Sequence, residues 1–267
     1  MSCTAIFAPL YQLFGAILKF FYDISHNYGI AIMLFTLAVN IILLPLTWKQ
    51  QKSTTKMQSI QPELERLQQK YKNDKEKLNM EMMKLYQNNN INPMSGCLPL
   101  LIQLPIIFIL YQIVQKPVTY ILGQPTNMAN ELGLAVEKGM NFNFLGLNLG
   151  AYPNQIHGLL LIVPVLAGVT TYTLTWLTMR QADARKTEAQ KKKEADNPTA
   201  NSMQTMNKIM PLITAFIAYT FPAGLGFYWI MNNIFKMVQQ VAVNKILAKE
   251  DPLVIEQTGG NKKKKKK

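Results

Sequence analysis

The sequence YGIAIMLFTLAVNIILLPLTW, residues Tyr28–Trp48, is an apolar run long enough to cross a lipid bilayer, because roughly 20 helical residues at ~1.5 Å each span the hydrocarbon core. Two polar residues, Thr36 and Asn40, lie in its interior one helical turn apart. Lipid offers polar side chains no hydrogen-bond partner, so we expect both to face protein or a water-filled space inside the membrane. The segment therefore predicts a membrane-spanning helix with a polar site.

The composition of the chain indicates that this span is one of several. Of the 267 residues, 49% are hydrophobic and 16% are charged. That charge content is low for a soluble domain, and the apolar residues come in long blocks. We predict an all-α polytopic membrane protein with five transmembrane helices. The net charge of +13 is also typical of nucleic-acid binders, but membrane topology accounts for it better.

The reactive residue types are too few and too scattered for a catalytic or metal site. Cys3 and Cys97 fall in different regions, and His26 and His157 are the only histidines. The sequence has no GxSxG, HExxH, P-loop or dinucleotide-binding glycine motif. We therefore expect no enzymatic activity, no catalytic residue and no metal site.

The first 27 residues are predicted to form an amphipathic helix that lies in the membrane interface. Apolar residues from Leu10 to Phe21 recur at helical spacing, with Gln12 and Lys19 between them and Asp23 just after them. A signal peptide and an additional span are the alternatives. The missing basic n-region and the lack of a small-residue cleavage site argue against the signal peptide.

Residues 49–95 are predicted to form a cytoplasmic coiled-coil hairpin. Two sets of apolar residues have the 3-4 spacing of a coiled-coil seam, and Asn73-Asp74 separates them. The seam residues are Met57, Ile60, Leu64, Leu67 and Tyr71 in the first set, and Leu78, Met82 and Leu85 in the second. A solvated linker is the alternative, which the regular seam disfavours.

The remaining boundaries follow from hydropathy and from breaks in it. The stretch from Ile209 to Val243 is too long for one crossing, and Pro222-Ala-Gly224 divides it, so we predict two short spans, about 205–221 and 225–243. The predicted segments are 1–27 (external interfacial helix), 28–48 (first span), 49–95 (hairpin), 96–116 (second span), 117–156 (external loop), 157–178 (third span), 179–204 (charged cytoplasmic loop), 205–243 (last two spans as a hairpin) and 244–267 (basic cytoplasmic tail).

The positive charges predict the orientation, because cytoplasmic segments carry an excess of Lys and Arg. Of the 28 Lys and Arg residues, nine lie between Lys49 and Lys84, seven between Arg180 and Lys208, and nine after residue 235. With five spans, these 25 share one side of the membrane. We therefore expect a multi-pass protein of the bacterial cell membrane with its N-terminus outside and its C-terminus in the cytoplasm.

Four segments resemble the YidC family of membrane-protein insertases. They are NIILLPL at 40–46 with MQSIQPELERLQQKY at 57–71, NPMSGCLPLLIQLPIIFILY at 92–111, and PAGLGFYWIMNN at 222–233. The resemblance covers about residues 5–245. It is to the shorter, Gram-positive type, without the large external domain of Gram-negative members.

The resemblance implies a protein that inserts membrane proteins and helps them fold, alone or beside the Sec translocon. Five spans would surround a polar groove that opens to the cytoplasm and to lipid and is closed outside. The implied partners are nascent membrane proteins and the ribosome, and the terminal lysines could also bind anionic lipids. No cofactor is implied.

The alternative functions are a small transporter or channel, and a ribosome-docking membrane scaffold. The absence of an internal repeat in the sequence disfavours the transporter or channel. The polar residues within the spans disfavour the scaffold.

One position departs from the family pattern. The arginine that the family usually carries in its first span aligns with Asn40, which cannot attract acidic segments of a substrate. Lys236 lies at a similar depth, roughly 10–12 Å from the cytoplasmic end of its span, and the hypothesis is that it supplies the missing cation. The alternative is that Lys236 extends to the cytoplasmic interface.

The candidate site residues fall into two groups. Helix packing is the alternative role for Gln103 and Thr171, and interfacial anchoring is the alternative for Trp229, which matches a groove tryptophan of the family. The predicted groove residues are Thr36, Asn40, Gln103, Thr171, Trp229, Asn232, Asn233 and Lys236. The predicted ribosome or lipid contacts are Lys262, Lys263, Lys264, Lys265, Lys266 and Lys267.

Overall fold

The computed structural model describes residues 3–89, 91, 98–124, 126, 131–156, 158–184 and 198–250. Most of these residues are helical, so the predicted all-α class is confirmed. The helices are α1 (Cys3–Ser25), α2 (Tyr28–Ser59), α3 (Gln61–Lys70), α4 (Lys75–Asn88), α5 (Leu98–Gln115), α6 (Pro117–Tyr120), α7 (Glu131–Glu137), α8 (Ile162–Ala184), α9 (Pro198–Thr220) and α10 (Ala223–Glu250).

The long apolar helices have the lengths that membrane segments require. Two stretches among the described residues, Tyr28–Ser53 and Leu159–Gln181, are long and apolar enough to cross a bilayer. Two shorter apolar helical stretches are Gln103–Gln115 and Lys208–Thr220. The chain between α9 and α10 is only two residues long.

Residues 117–156 contain regular structure that the sequence did not predict. Besides α6 and α7, two strands, β1 (Asn143–Phe144) and β2 (Leu147–Asn148), form an antiparallel hairpin. Strands of two residues are too short to show the alternating hydrophobic pattern from which strands are predicted. A 3-10 turn at Leu159–Leu161 then leads into α8.

The chain forms two compact units. The first takes in Met1–Leu43, Leu100–Leu174 and Lys208–Lys236. Its apolar core draws on most of its helices, and the large residues that are fully buried there include Phe35 of α2 and Ile113 of α5.

Two glycines allow helices of the first unit to approach closely. A Cβ atom on Gly226 would lie 2.7 Å from Cγ1 of Val163, and one on Gly168 would lie 3.1 Å from Cβ of Ala215. Small residues at such crossings are typical of helix packing in membranes. In this way α8 packs against both α9 and α10.

The second unit takes in Leu44–Pro99, Thr175–Asn207 and Met237–Lys267. Here α3 packs on α4 around a small apolar cluster with Ile60 and Leu64 at its centre.

Polar side chains link the long helices within the second unit. Gln239 of α10 donates to Thr47 of α2. Gln240 of α10 donates to Thr178 and Gln181 of α8, at 3.0 Å each.

Some residues of the sequence analysis lie outside the described residues. They are Cys97, His157 and the lysines of the tail, Lys262 to Lys267.

Candidate functional site

Helix α10 brings the predicted polar residues of the first unit together. Asn232, Asn233 and Lys236 lie within little more than one turn of it, and the first two are almost fully buried. Each binds a different neighbouring helix: Asn232 contacts α2, Asn233 contacts α8 and Lys236 contacts α5. The polar residues of α10 therefore bond to three other helices of the first unit.

The contact with α2 involves both polar residues of the first predicted span. The Thr36 hydroxyl is fully buried and donates to the backbone carbonyl of Ile32 at 2.6 Å. Nδ2 of Asn40 donates to the carbonyl of Thr36 at 2.8 Å and to Oδ1 of Asn232 at 3.2 Å. Bonds to the carbonyl one turn earlier satisfy polar side chains within an apolar helix. Asn40, which is partly buried, therefore joins α2 to α10.

The contact with α8 uses two adjacent threonines. Nδ2 of Asn233 donates to the hydroxyl of Thr171 at 2.8 Å and to that of Thr170 at 3.2 Å. Both hydroxyls in turn donate to carbonyls of their own helix; Thr171 bonds to Ala167 at 2.8 Å. Thr170 was not predicted as a site residue, although its position beside Thr171 could have pointed to it.

The contact with α5 holds the cation. Nζ of Lys236 donates to Oε1 of Gln103 at 2.8 Å, and Nε2 of Gln103 donates to the hydroxyl of Tyr228 at 3.2 Å. The carboxamide of Gln103 is thus fixed at both ends. Tyr228 was also not predicted; the signal was a tyrosine in an otherwise apolar turn, since a buried hydroxyl needs a partner.

Lys236 lacks a counter-charge in the part of the chain that the structure describes. The ion pairs Lys19–Asp23 and Lys84–Glu81 are both on the surface and do not involve it. A cation within an apolar helix and without a carboxylate is a candidate functional site. Trp229 lies half-buried against the apolar core. We refer to the following residues as the polar cluster: Thr36, Asn40, Gln103, Thr170, Thr171, Tyr228, Asn232, Asn233 and Lys236.

The end of the first unit where α2 and α10 begin is covered by the chain around the β-hairpin. The backbone N–H of Tyr28 donates to the carbonyl of Asn141 at 3.0 Å. Those of Ala223 and Gly224 donate to the carbonyls of Ala151 and Leu149 at 2.8 and 2.7 Å. The first N–H groups of a helix have no partner within it, so these bonds satisfy them and close this end of the unit. Along α2, Thr36 and Asn40 follow two to three turns further on.

Apolar helices of spanning length with a polar cluster between them define the class of the protein, a helical membrane protein with an internal polar site. The model of one family, described as 60Kd inner membrane protein, matches residues 20–250. The chain therefore belongs to this family.

Relatives in the family carry the name membrane protein insertase YidC. The protein of Clostridium perfringens is 40% identical over 239 residues, which are 88% of this chain and 87% of the relative. The protein of Caldanaerobacter subterraneus subsp. tengcongensis is 34% identical, and the match covers 87% of this chain and 93% of the relative. The chain also matches the Campylobacter jejuni protein at 33% identity, with 92% of the chain covered but only 39% of that longer relative.

A solved structure agrees in fold. It is described as an active YidC insertase crystal structure with the first transmembrane domain resolved. Its similarity to this chain has a TM-score of 0.56 at 29% identity, and the match covers 89% of this chain and 46% of the other. The resemblance inferred from the sequence motifs is thereby confirmed.

Proposed function

We propose that this protein is a membrane-protein insertase and chaperone, which inserts and helps fold membrane proteins through a hydrophilic groove, alone or with the Sec translocon. The observation that carries the proposal is the family match over residues 20–250, which includes every residue of the polar cluster. Nascent membrane proteins are accordingly the substrates.

The proposed topology has five spans: 28–48, 96–116, 157–178 and two within 205–243. The N-terminus lies outside and the C-terminus lies in the cytoplasm, because this arrangement places 25 of the 28 Lys and Arg residues in cytoplasmic segments or toward the cytoplasmic end of a span. The loop 179–204, the hairpin 49–95 and the tail then form the face toward the ribosome. The lysines of the tail are proposed to contact ribosomal RNA or anionic lipid.

The polar cluster is proposed to line the groove. A hydrated site within the membrane shortens the path that a polar segment of the substrate travels through hydrocarbon. The apolar segment of the substrate then moves sideways into lipid, and its burial there supplies the driving force, at ~0.8 kcal/mol per CH₂ group. Asn40, which is held by its hydrogen bond to the buried Asn232, presents its accessible polar atoms to the segment in transit.

Lys236 is proposed to carry the positive charge of the groove. Its bond to Gln103 keeps the ammonium within the first unit, which favours this role over extension to the interface. An ammonium with one protein acceptor has two further N–H donors. A carboxylate of the substrate is the partner that balances its charge.

The charge of Lys236 can be tested with the Lys236→Gln variant and a substrate whose translocated segment carries acidic residues. We expect insertion to fall several-fold, because glutamine keeps a polar group but loses the cation. Lys236→Arg should retain insertion, and Asn40→Arg added to Lys236→Gln should restore part of it. Insertion of the same substrate with neutral residues serves as the control. Unchanged insertion of the acidic substrate by Lys236→Gln would rule out this role.

The function itself is tested by depletion complementation. The chain, with Asn40 as it stands, is expressed in bacteria whose own insertase can be switched off. We expect growth and membrane insertion of reporter proteins to recover. If the chain is present in the membrane at normal levels and neither recovers, the proposed function is wrong.

A further inference from the structure

The tip of the β-hairpin holds a large apolar side chain in an unfavourable backbone conformation. Only Leu145 and Gly146 connect the paired residues Phe144 and Leu147. Both have positive φ angles, 50° and 80°, as in a type I′ turn, where Asn-Gly is the preferred pair. Leucine at a positive φ is strained, because its Cβ approaches the following carbonyl oxygen.

The Leu145 side chain has little contact with the rest of its own chain, so packing within the chain does not offset this strain. It is 83% exposed, the most exposed of the large apolar residues that the structure describes. Its strand neighbours behave differently: Phe144 packs against the ring of Phe227, with ring centres 5.1 Å apart. Strain at an exposed apolar tip points to a contact outside the chain.

The position of the hairpin identifies what that contact is. Phe144 also lies against Gly29, in the first turn of α2. Strand β2 contacts the 3-10 turn Leu159–Leu161, where the apolar stretch Leu159–Gln181 begins. The exposed residues at the start of that stretch are all apolar and large: Leu159, Ile162, Val165 and Leu166. The hairpin therefore lies beside the end of an apolar surface that faces lipid.

We infer that Leu145 inserts into the lipid at the membrane interface and anchors the closed end of the first unit to the bilayer. The contacting partner is the boundary between headgroups and acyl chains, continuous with the lipid around α8. In the proposed topology this is the outer leaflet. The anchor fixes the depth of the backbone that covers the starts of α2 and α10. It requires a membrane location but does not depend on insertase activity.

Methyl NMR of the full chain in lipid nanodiscs tests this contact on the native side chain. Leucine and methionine methyl groups are labelled with ¹³C, and the Leu145 signals are identified by their loss in the Leu145→Asn variant. That variant creates the favoured Asn-Gly turn, so it is expected to fold at least as well. Signal broadening is then measured with a nitroxide-bearing lipid and, separately, with a water-soluble gadolinium chelate.

We expect the nitroxide lipid to broaden the Leu145 methyl signals at least twofold more than the gadolinium chelate does. Leu166 on α8 serves as the lipid-facing control, and the exposed Met80 and Met83 of α4 serve as the water-facing controls. Broadening of Leu145 by gadolinium to the extent seen for Met80 would overturn the inference. Broadening by neither agent would overturn it too, because another protein surface would then cover the tip.

Discussion

At the scale of single residues, the buried polar side chains that the structure describes in the first unit have hydrogen-bond partners within their own helix or on a neighbouring one, with one exception. Thr36, Asn232 and Asn233 all have hydrogen-bond partners. The hydroxyl of Tyr28 is buried without one among the described residues, although Tyr228, buried to nearly the same extent, bonds to Gln103. The two tyrosines therefore form a natural pair for comparison.

The substitution Tyr28→Phe is expected to stabilise the protein. An unpaired buried polar group costs about 1–3 kcal/mol, so its removal should raise the free energy of unfolding by about 1 kcal/mol. Thermal unfolding of the purified protein in detergent measures the change. Tyr228→Phe, which removes the same atom but breaks a bond, should lower the unfolding temperature. A clear loss of stability in Tyr28→Phe would show that its hydroxyl has a partner, such as a bound water.

The polar residues themselves could be predicted from the sequence, but their pairs could not. Thr36, Asn40, Asn232 and Asn233 stand out because polar residues in apolar helices need partners. Which helix provides the partner depends on how the helices meet, and periodicity does not contain that information. The functional roles of these residues stay predictions.

At the scale of elements, the start of α2 is fixed by a capping side chain. Asn27 directly precedes α2. Its Oδ1 atom accepts hydrogen bonds from the backbone N–H groups of Gly29 and Ile30, at 3.0 and 3.2 Å. Its Nδ2 atom donates to the carbonyl of Asn143 in the hairpin at 2.8 Å. Asparagine is a preferred residue at this capping position. One side chain thus fixes both the start of the helix and the hairpin that covers it.

The substitution Gly29→Ala tests how closely the hairpin packs on α2. Alanine favours helices over glycine by about 1 kcal/mol, so a surface site would gain stability. Here a Cβ atom would lie 2.6 Å from Cβ and Cδ2 of Phe144, and such overpacking costs about 1–3 kcal/mol. We therefore expect a lower unfolding temperature.

A double-mutant cycle provides the control for this substitution. In a Phe144→Ala background the obstacle is absent, and Gly29→Ala should then cost nothing or stabilise. Equal destabilisation in both backgrounds would show that Phe144 does not limit the approach.

At the scale of the whole molecule, composition and hydropathy were enough to predict the class of the protein. Long apolar blocks and a low charge content predicted a helical membrane protein, and the motifs at 92–111 and 222–233 predicted the family; both are confirmed. The β-hairpin could not be predicted, because a two-residue strand has no detectable period and a Leu-Gly turn lacks the usual turn signature. The number of spans and the orientation stay predictions.

In the proposed function, a polar segment of the substrate passes the polar cluster, and crosslinking tests this directly. A photo-crosslinking amino acid is placed at position 40 or, as a control, at position 41, where Ile41 is 59% exposed on the apolar exterior. Adjacent positions of a helix lie at nearly the same depth but point in different directions. Crosslinks are then mapped to the hydrophilic segment of a stalled nascent chain. We expect crosslinks from position 40 to be several-fold stronger than those from position 41. Crosslinks of equal strength from both positions, or none from position 40, would contradict this expectation.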